Sequence, residues 1–137
     1  MPQRQVSHLL SLTGLWYHVL IMAGKDSYGG QAETAACEFL RARGYVVVER
    51  NWHSPFGEVD LIARDGEALV FVEVKARRDS SFGGAEGALT DIKKERIIAT
   101  ARMYLRGAST ELPVRFDVVT ITAGEVSLYQ DAFQVEV

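Results

Sequence analysis

The apolar residues of this chain follow two different spacings, which predict two helices and several strands. Between residues 30 and 43 they recur at intervals of three and four, so we expect a helix there that stops at Gly44. A second stretch, residues 90–106, has the same helical spacing. Thr90 is suited to cap its start, and Gly107 follows its last apolar turn. Each helix can therefore bury one apolar face.

Runs of β-branched and aromatic residues predict five strands. These runs cover residues 45–52, 57–63, 68–76, 114–121 and 125–133. The dipeptide Asp65-Gly66 is a strong hairpin signal, and a two-residue turn at this dipeptide would pair Arg64 with Glu67. The order of elements is αβββαβ with one further strand, which predicts a single α/β domain with a mixed sheet flanked by helices.

Residues 1–24 form an N-terminal extension to the domain, which we place at residues 25–137. The extension contains an apolar run at residues 9–23, about as long as a signal-peptide core and short for a bilayer span. Three interpretations are open: a signal peptide, an extra helix packed on the domain, or a segment upstream of a start at Met22. The second and third are favoured, because nothing after residue 28 is typical of an exported domain. We therefore expect a cytoplasmic protein with no membrane partner.

Composition and charge exclude some classes of protein. A chain of 137 residues with 47% hydrophobic and 24% charged residues fits one globular domain. The lone Cys37 excludes an internal disulfide and is predicted to be a small buried thiol. The net charge of −3 argues against a protein that coats nucleic acid through bulk charge. Residues 75–106, however, hold 8 basic and 4 acidic residues and form a local basic region.

Four charged side chains interrupt the apolar hairpin: Glu58, Asp60, Glu73 and Lys75. Strand residues alternate between faces, so these four should project from one face of the sheet. With the turn at Asp-Gly, Glu58 faces Glu73 and Asp60 faces Phe71. Asp60 and Glu73 are then diagonal neighbours, roughly 7–8 Å apart at the backbone. Charged residues are seldom buried unless something pairs with them, so this face needs an explanation.

Three carboxylates crowded on one face repel one another, and a divalent cation would remove the conflict. Mg²⁺ prefers a few carboxylate oxygens and keeps several waters. Together with Lys75, such an ion would make a phosphoryl-transfer site, in which the lysine steadies developing charge on the phosphate. The alternative is a set of strand-end charges that face solvent, including a surface ion pair between Glu73 and Lys75.

The hairpin sequence GEVDLIARDGEALVFVEVKAR also carries a family resemblance. Its aspartate followed by E-x-K on the next strand resembles the PD-(D/E)xK nuclease superfamily, which has a restriction-endonuclease-like fold. More closely, it resembles the uncharacterised YraN-type bacterial family, which is similar to archaeal Holliday junction resolvases. The resemblance covers residues 29–133 and includes RGY at 43–45, RN at 50–51 and RFDVV at 115–119.

The resemblance implies a metal-dependent phosphodiesterase that uses Mg²⁺ or Mn²⁺. Asp60 and Glu73 would then be metal ligands and Lys75 the catalytic lysine. Glu33 on the first helix would complete the catalytic site, and Glu58 would be a further ligand or would support the ligands. For Glu33 the alternative is a solvated carboxylate in the first turn of a helix. Resolvases act as symmetric dimers, so a homodimer is a further expectation.

Two basic residues near the hairpin end are candidates for holding a nucleic-acid backbone. Arg77 continues the strand beyond Lys75, and Lys93 begins the second helix, where the helix N-terminus also favours phosphate. The alternative for both is an ordinary solvated charge. Asp117, in the middle of a strand, is predicted to be a structural partner for a buried arginine or backbone group.

Three hypotheses for function follow. The first is a divalent-metal-dependent endonuclease acting on DNA, with branched DNA as one candidate substrate. The second is a non-catalytic nucleic-acid-binding module that retains the nuclease fold. The third is an interaction protein whose charged hairpin face meets a partner.

Overall fold

The computed structural model describes residues 4–5, 10–11, 28–77 and 89–135. Two helices and seven strands lie in these ranges. They are β1 Arg4–Gln5, β2 Leu10–Ser11, α1 Tyr28–Ala42, β3 Val46–Ser54, β4 Gly57–Asp65, β5 Ala68–Arg77, α2 Asp91–Ala108, β6 Val114–Thr122 and β7 Glu125–Phe133. In the extension, the described residues are those of the two short strands, so the predicted extra helix falls outside the described ranges. No helix in the described ranges is both long and apolar enough to cross a membrane.

The strands form one mixed sheet in the order β1-β7-β6-β5-β4-β3, with β2 also paired to β7. The central strands β5 and β6 are parallel, and the other pairs are antiparallel. A parallel pair needs a crossover connection, which here contains α2. The predicted α/β class and mixed sheet are confirmed, and the arrangement is that of a restriction-endonuclease-like core.

The two helices cover opposite faces of the sheet. The apolar residues of α1, including the fully buried Leu40, pack on Leu61, Val72 and their neighbours. The apolar residues of α2 pack on Ile62, Phe71 and the buried residues around them. Since neighbouring strand residues point to opposite faces, β4 and β5 contribute to both cores and carry long apolar runs.

The end of α1 lies where the sequence predicts it. Gly44 has a positive φ of 90°, and its N–H donates to the carbonyl of Arg41 at 3.0 Å. The Tyr45 N–H donates to the Leu40 carbonyl, also at 3.0 Å. This pair of bonds is the Schellman motif, which ends a helix on a left-handed residue. It turns the chain directly into β3.

The start of α2 also agrees with the sequence, whereas its end does not. The Thr90 side chain accepts a hydrogen bond from the Lys93 N–H at 3.1 Å, as expected of an N-cap. The helix continues through Gly107 to Ala108, so the predicted stop at Arg106-Gly107 is wrong. Ser109 takes the left-handed cap position instead, with a φ of 49°.

The turn between β4 and β5 differs by one residue from the prediction. Asp65 pairs with Ala68, so the two turn residues are Gly66 and Glu67, with Gly66 at a positive φ of 59°. The pairing of Asp60 with Phe71 is therefore wrong. Each residue of β4 is thus paired with a β5 residue two positions further along the chain than predicted. Because the shift is an even number, it does not change which side chains share a face. Continued one position beyond the last pair, the register places Asp60 opposite Glu73.

The strict alternation on which the predicted single face for the four charged residues rests breaks in β4. Val59 and Ile62 both pack in the core beneath α2, although three positions separate them. Leu61 between them packs beneath α1. The strand therefore rotates about its axis at Asp60. On the neighbouring strand β3, Asn51 lies across from this point and has a left-handed φ of 51°.

Asp117 is the centre of a buried polar network, which confirms its predicted structural role. Its side chain is inaccessible to solvent and accepts two hydrogen bonds from the Arg115 guanidinium at 2.8 Å. The Tyr45 hydroxyl and the Asp131 N–H also donate to it, at 2.8 and 3.0 Å. The network joins Tyr45, three residues after the end of α1, to β6 and β7. Cys37 is buried, also as predicted.

We expect Asp117→Ala to lower the free energy of unfolding by about 3–5 kcal/mol, because it breaks a buried ion pair and leaves the Asp131 N–H without its acceptor, although Arg115 keeps its ion pair with Asp65. Urea denaturation followed by circular dichroism measures the change. Glu125→Ala, at an exposed position, is the control and should change the free energy by less than about 0.5 kcal/mol. An Asp117→Ala protein as stable as this control would contradict the structural role.

Candidate metal centre

A cleft of about 610 Å³ opens where β4 and β5 separate, between the second turn of α1 and the first two turns of α2. The two strands pair as far as Leu61 and Val72, although both continue beyond these residues. Four elements line the cleft, which we call the acidic cleft. Its charged lining residues are Glu33 of α1, Glu58 and Asp60 of β4, Glu73 and Lys75 of β5, and Lys93 and Arg96 of α2.

Three carboxylates converge in the acidic cleft. One side-chain oxygen each from Glu33, Glu58 and Asp60 lies within 4.8 Å of the other two. Asp60 is buried, Glu33 is half-buried and Glu58 is exposed, so the trio reaches from the protein interior to the surface. The sequence predicts Glu33 near this site through the family resemblance, and the packing of α1 on the sheet brings it there.

Asp60 is held where the two strands part. Its Oδ2 accepts a hydrogen bond from the Val74 N–H at 2.8 Å, a backbone donor that lies beyond the last paired residues of the ladder. Burial, followed by the negative charge of Glu73, raises the pKa of Asp60 from its ordinary 3.8 to about 7. The hydrogen bond from the Val74 N–H lowers this pKa but does not cancel the rise. The carboxylate thus sits in a site that disfavours its own negative charge.

Glu73 belongs to the same cleft but has its own cation. Its side chain is 6% exposed, and its Oε1 lies 2.6 Å from the ammonium Nζ of Lys93. A hydrogen bond and direct charge repulsion link Glu73 to Asp60. Glu73 therefore lies beside the converging trio rather than within it.

The structure brings together most of the side chains predicted for the site. The acidic cleft contains all four carboxylates and Lys75. Lys93, predicted to contact nucleic acid, lines the cleft and forms the ion pair with Glu73. Arg77 ends β5, half-buried, outside the described residues that line the cleft. Arg96, one helical turn after Lys93, lines it although the sequence did not single it out.

Asn51 is a functional candidate that the sequence analysis missed. Its side chain hydrogen-bonds to Glu33, which favours the charged carboxylate, whereas burial and the charge of Asp60 raise the pKa of Glu33. The adjacent Arg50 donates to Thr34 of α1 at 3.0 Å, so two consecutive residues of β3 bind two consecutive residues of α1. An asparagine within a β-branched run is a signal for a left-handed residue, because asparagine tolerates positive φ better than most residues.

The donors of the trio suit a hard divalent cation. All are carboxylate oxygens, which Mg²⁺ and Mn²⁺ prefer, and part of the trio faces open cleft where waters can complete the coordination. Burial first, and then the negative charge of neighbouring carboxylates, raises the pKa values of Glu33 and Asp60, and a bound cation would favour their charged forms. The residues present therefore fit such an ion.

The raised pKa of Asp60 predicts how stability depends on pH without metal. The folded state holds this proton more tightly than the unfolded chain does, so ionising Asp60 costs stability as pH rises from about 4 through about 7. Asp60→Asn removes this cost. In EDTA, we expect the variant to gain stability relative to wild type as pH rises, measured by urea denaturation from about pH 4 to about pH 8. A difference between the two proteins that does not change with pH would contradict the pKa.

The left-handed conformation of Asn51 predicts a difference between two substitutions. Both Asn51→Gly and Asn51→Val lose the hydrogen bond to Glu33, but glycine accepts positive φ and valine does not. We expect Asn51→Val to be less stable than Asn51→Gly by about 1–2 kcal/mol in urea denaturation. Equal stability of the two variants would mean that this backbone conformation is not required.

Comparison with known proteins places the chain among relatives of similar length. A model of the uncharacterised protein family UPF0102 matches residues 32–121, which include the whole trio. A UPF0102 protein of Nitrosococcus oceani is 46% identical over 114 residues, covering 79% of this chain and 92% of that protein. One from Thermodesulfovibrio yellowstonii is 36% identical over 105 residues, covering 77% and 94%. The YraN-type resemblance is confirmed, and the chain belongs to the UPF0102 family.

Proposed function

We propose that this protein is a divalent-metal-dependent endonuclease that hydrolyses phosphodiester bonds in DNA. The observation that supports this most is the convergence of Glu33, Glu58 and Asp60 within 4.8 Å at one end of a cleft. Lys75 lines the same cleft. Carboxylates gathered with a lysine on neighbouring strands suit phosphoryl transfer, and they match the pattern of the nuclease superfamily that the hairpin resembles.

The cofactor in this proposal is Mg²⁺ or Mn²⁺, held by Glu33, Glu58 and Asp60. Glu73 is a further ligand once Lys93 moves off its carboxylate. When bound, the ion would lower the pKa of a water and offset negative charge on the phosphate. The three carboxylate oxygens already lie close together without a cation, so the side chains need to move little to bind one.

The cationic residues of the acidic cleft act on the phosphate. Lys75 extends from β5 into the cleft, where its ammonium can donate hydrogen bonds to the phosphate oxygens as their charge grows. Arg96 and Lys93 lie on the first two turns of α2, whose N-terminus also attracts phosphate. A DNA backbone entering the cleft would thus meet positive charge on the α2 side and carboxylates on the α1 side.

A second candidate, a nucleic-acid-binding module without catalysis, is favoured by one contact. Lys93 lies 2.6 Å from Glu73 and neutralises a carboxylate that the superfamily pattern assigns to metal binding. If this ion pair persists when DNA binds, Glu73 cannot coordinate a cation. Lys93→Met separates the two candidates. If Glu73 is a metal ligand, as in the nuclease, the variant should bind the cation more tightly. If Glu73 is not a ligand, the variant should only bind DNA more weakly.

Cleavage assays test the proposed function directly. Branched, duplex and single-stranded DNA are incubated with the protein in Mg²⁺, in Mn²⁺ and in EDTA. We expect cutting of at least one substrate with either cation and none in EDTA. Asp60→Asn should abolish it because the buried ligand is lost. Lys75→Met should reduce the rate by about 10²–10³-fold, as expected when one donor to developing charge is removed.

Matched controls distinguish these effects from a general change of charge. Lys94→Met is the control for Lys75→Met, because it removes one positive charge from a residue outside the described lining of the cleft. The Lys94 ammonium lies over the Phe133 ring instead. Glu125→Gln is the control for Asp60→Asn, because it removes one negative charge from an exposed carboxylate on β7. Both should cut like wild type. Absence of cation-dependent cutting on every substrate would overturn the proposal of a nuclease.

A further inference from the structure

We propose that the turn between β3 and β4 is a subsite that stacks an unpaired nucleobase on the ring of Phe56, beside the acidic cleft. This inference rests on the proposed function and specifies its substrate as nucleic acid with an unpaired nucleotide near the bond that is cut. It concerns the tip of a tight hairpin, which adjoins the carboxylates of the acidic cleft at Glu58.

Phe56 is exposed although it is large and apolar. Ser54 and Gly57 are the last paired residues of β3 and β4, so Pro55 and Phe56 form a two-residue turn. The Phe56 residue is 52% accessible to solvent at the tip of this turn. A turn needs no aromatic residue for its own geometry, and covering this ring with a binding partner would gain free energy.

Side-chain hydrogen bonds fix this turn to α2. The Ser54 Oγ accepts a bond from the Phe56 N–H at 3.0 Å. It also lies 2.7 Å from the hydroxyl of Thr100, a fully buried residue of α2. At Gly57, an added Cβ would meet the Cβ of Arg96 at 3.6 Å, so the turn lies close against the helix. The aromatic ring is therefore carried by a backbone that is already ordered, which lowers the entropic cost of binding.

A second cavity of about 720 Å³ lies at this turn, and we call it the hairpin pocket. Gly57, Glu58 and Arg96 line both the hairpin pocket and the acidic cleft, so the two spaces are adjacent. His53 lies 3.2 Å from Glu58 across the strands and connects the turn to the metal trio. One nucleic-acid strand can therefore reach both spaces at once.

The chemistry of the hairpin pocket suits a nucleotide more than an apolar peptide. Phe56 supplies a flat apolar face for a base, and Arg96, which lines both cavities, supplies positive charge for the adjoining phosphate. Glu58 and Glu95 also line the pocket and repel a phosphate, so the phosphate belongs on the Arg96 side. Stacking on an aromatic ring does not depend on base identity, because every base has a π-face. The subsite would therefore detect that a base is unpaired and not which base it is.

Binding of matched DNA probes tests the subsite. The first probe is a fluorescently labelled duplex with a single-stranded overhang, and the second carries abasic residues throughout that overhang. Anisotropy is measured with Ca²⁺ and again in EDTA, so that cleavage does not interfere. We expect Phe56→Ala to weaken binding of the first probe roughly 5- to 150-fold, the loss typical of one stacked base. The Phe56→Ala variant should bind the abasic probe as tightly as wild type does.

Conservative variants separate stacking from bulk hydrophobicity. Phe56→Trp should bind the first probe at least as well as wild type, and Phe56→Leu should resemble Phe56→Ala. Val46→Ala, at an exposed apolar residue of β3, is the control and should bind both probes normally. Thermal unfolding confirms that each variant is folded, as expected for a half-exposed turn residue.

The outcomes for the subsite and for the nuclease are distinguishable. Base-dependent binding without cleavage of any substrate would overturn the nuclease and leave the subsite standing. Cleavage by wild type with equal effects of Phe56→Ala on both probes, or with no effect on either, would overturn the subsite alone. Failure of wild type to bind either probe would also overturn it.

Discussion

The site depends on one constraint: a buried carboxylate occupies the point where two paired strands part. Asp60 accepts a hydrogen bond from the Val74 amide, a donor beyond the end of the β4–β5 ladder. An amide shielded from water without a partner would cost free energy, so Asp60 satisfies the backbone where the ladder ends. The pKa of Asp60 is raised as a consequence, since the same position removes water from the carboxylate and crowds it against Glu73.

The rest of the fold brings complementary groups to this gap from both faces of the sheet. Helix α1 adds a carboxylate from its second turn, and helix α2 adds cations from its first two turns. The helices can do this because α1 ends on a Schellman motif that leads into β3, and α2 lies in the crossover between the parallel strands. Core packing and charge placement are therefore linked: the strands that carry the two cores also carry the charged ends that meet in the acidic cleft.

Features with local causes could be predicted from the sequence. Gly44 and Thr90 fix helix ends through the conformation of one residue and one side chain, so they were predicted correctly. The faces of β4 could not be predicted, because strict alternation breaks at Asp60, across from the left-handed Asn51 of β3. The hairpin register was wrong by two positions because Asp-Gly was assigned to the turn itself, whereas Asp65 remains paired.

Contacts between distant segments were beyond the sequence pattern, and the ion pair of Lys93 with Glu73 is one of them. The position of Glu33 came from family resemblance, since helical periodicity alone does not tell which strand a helix meets. The most direct test of the metal centre is anomalous X-ray diffraction from crystals equilibrated with Mn²⁺. We expect an anomalous peak within coordination distance of the carboxylate oxygens of Glu33, Glu58 and Asp60. No peak there at saturating Mn²⁺ would contradict the metal centre.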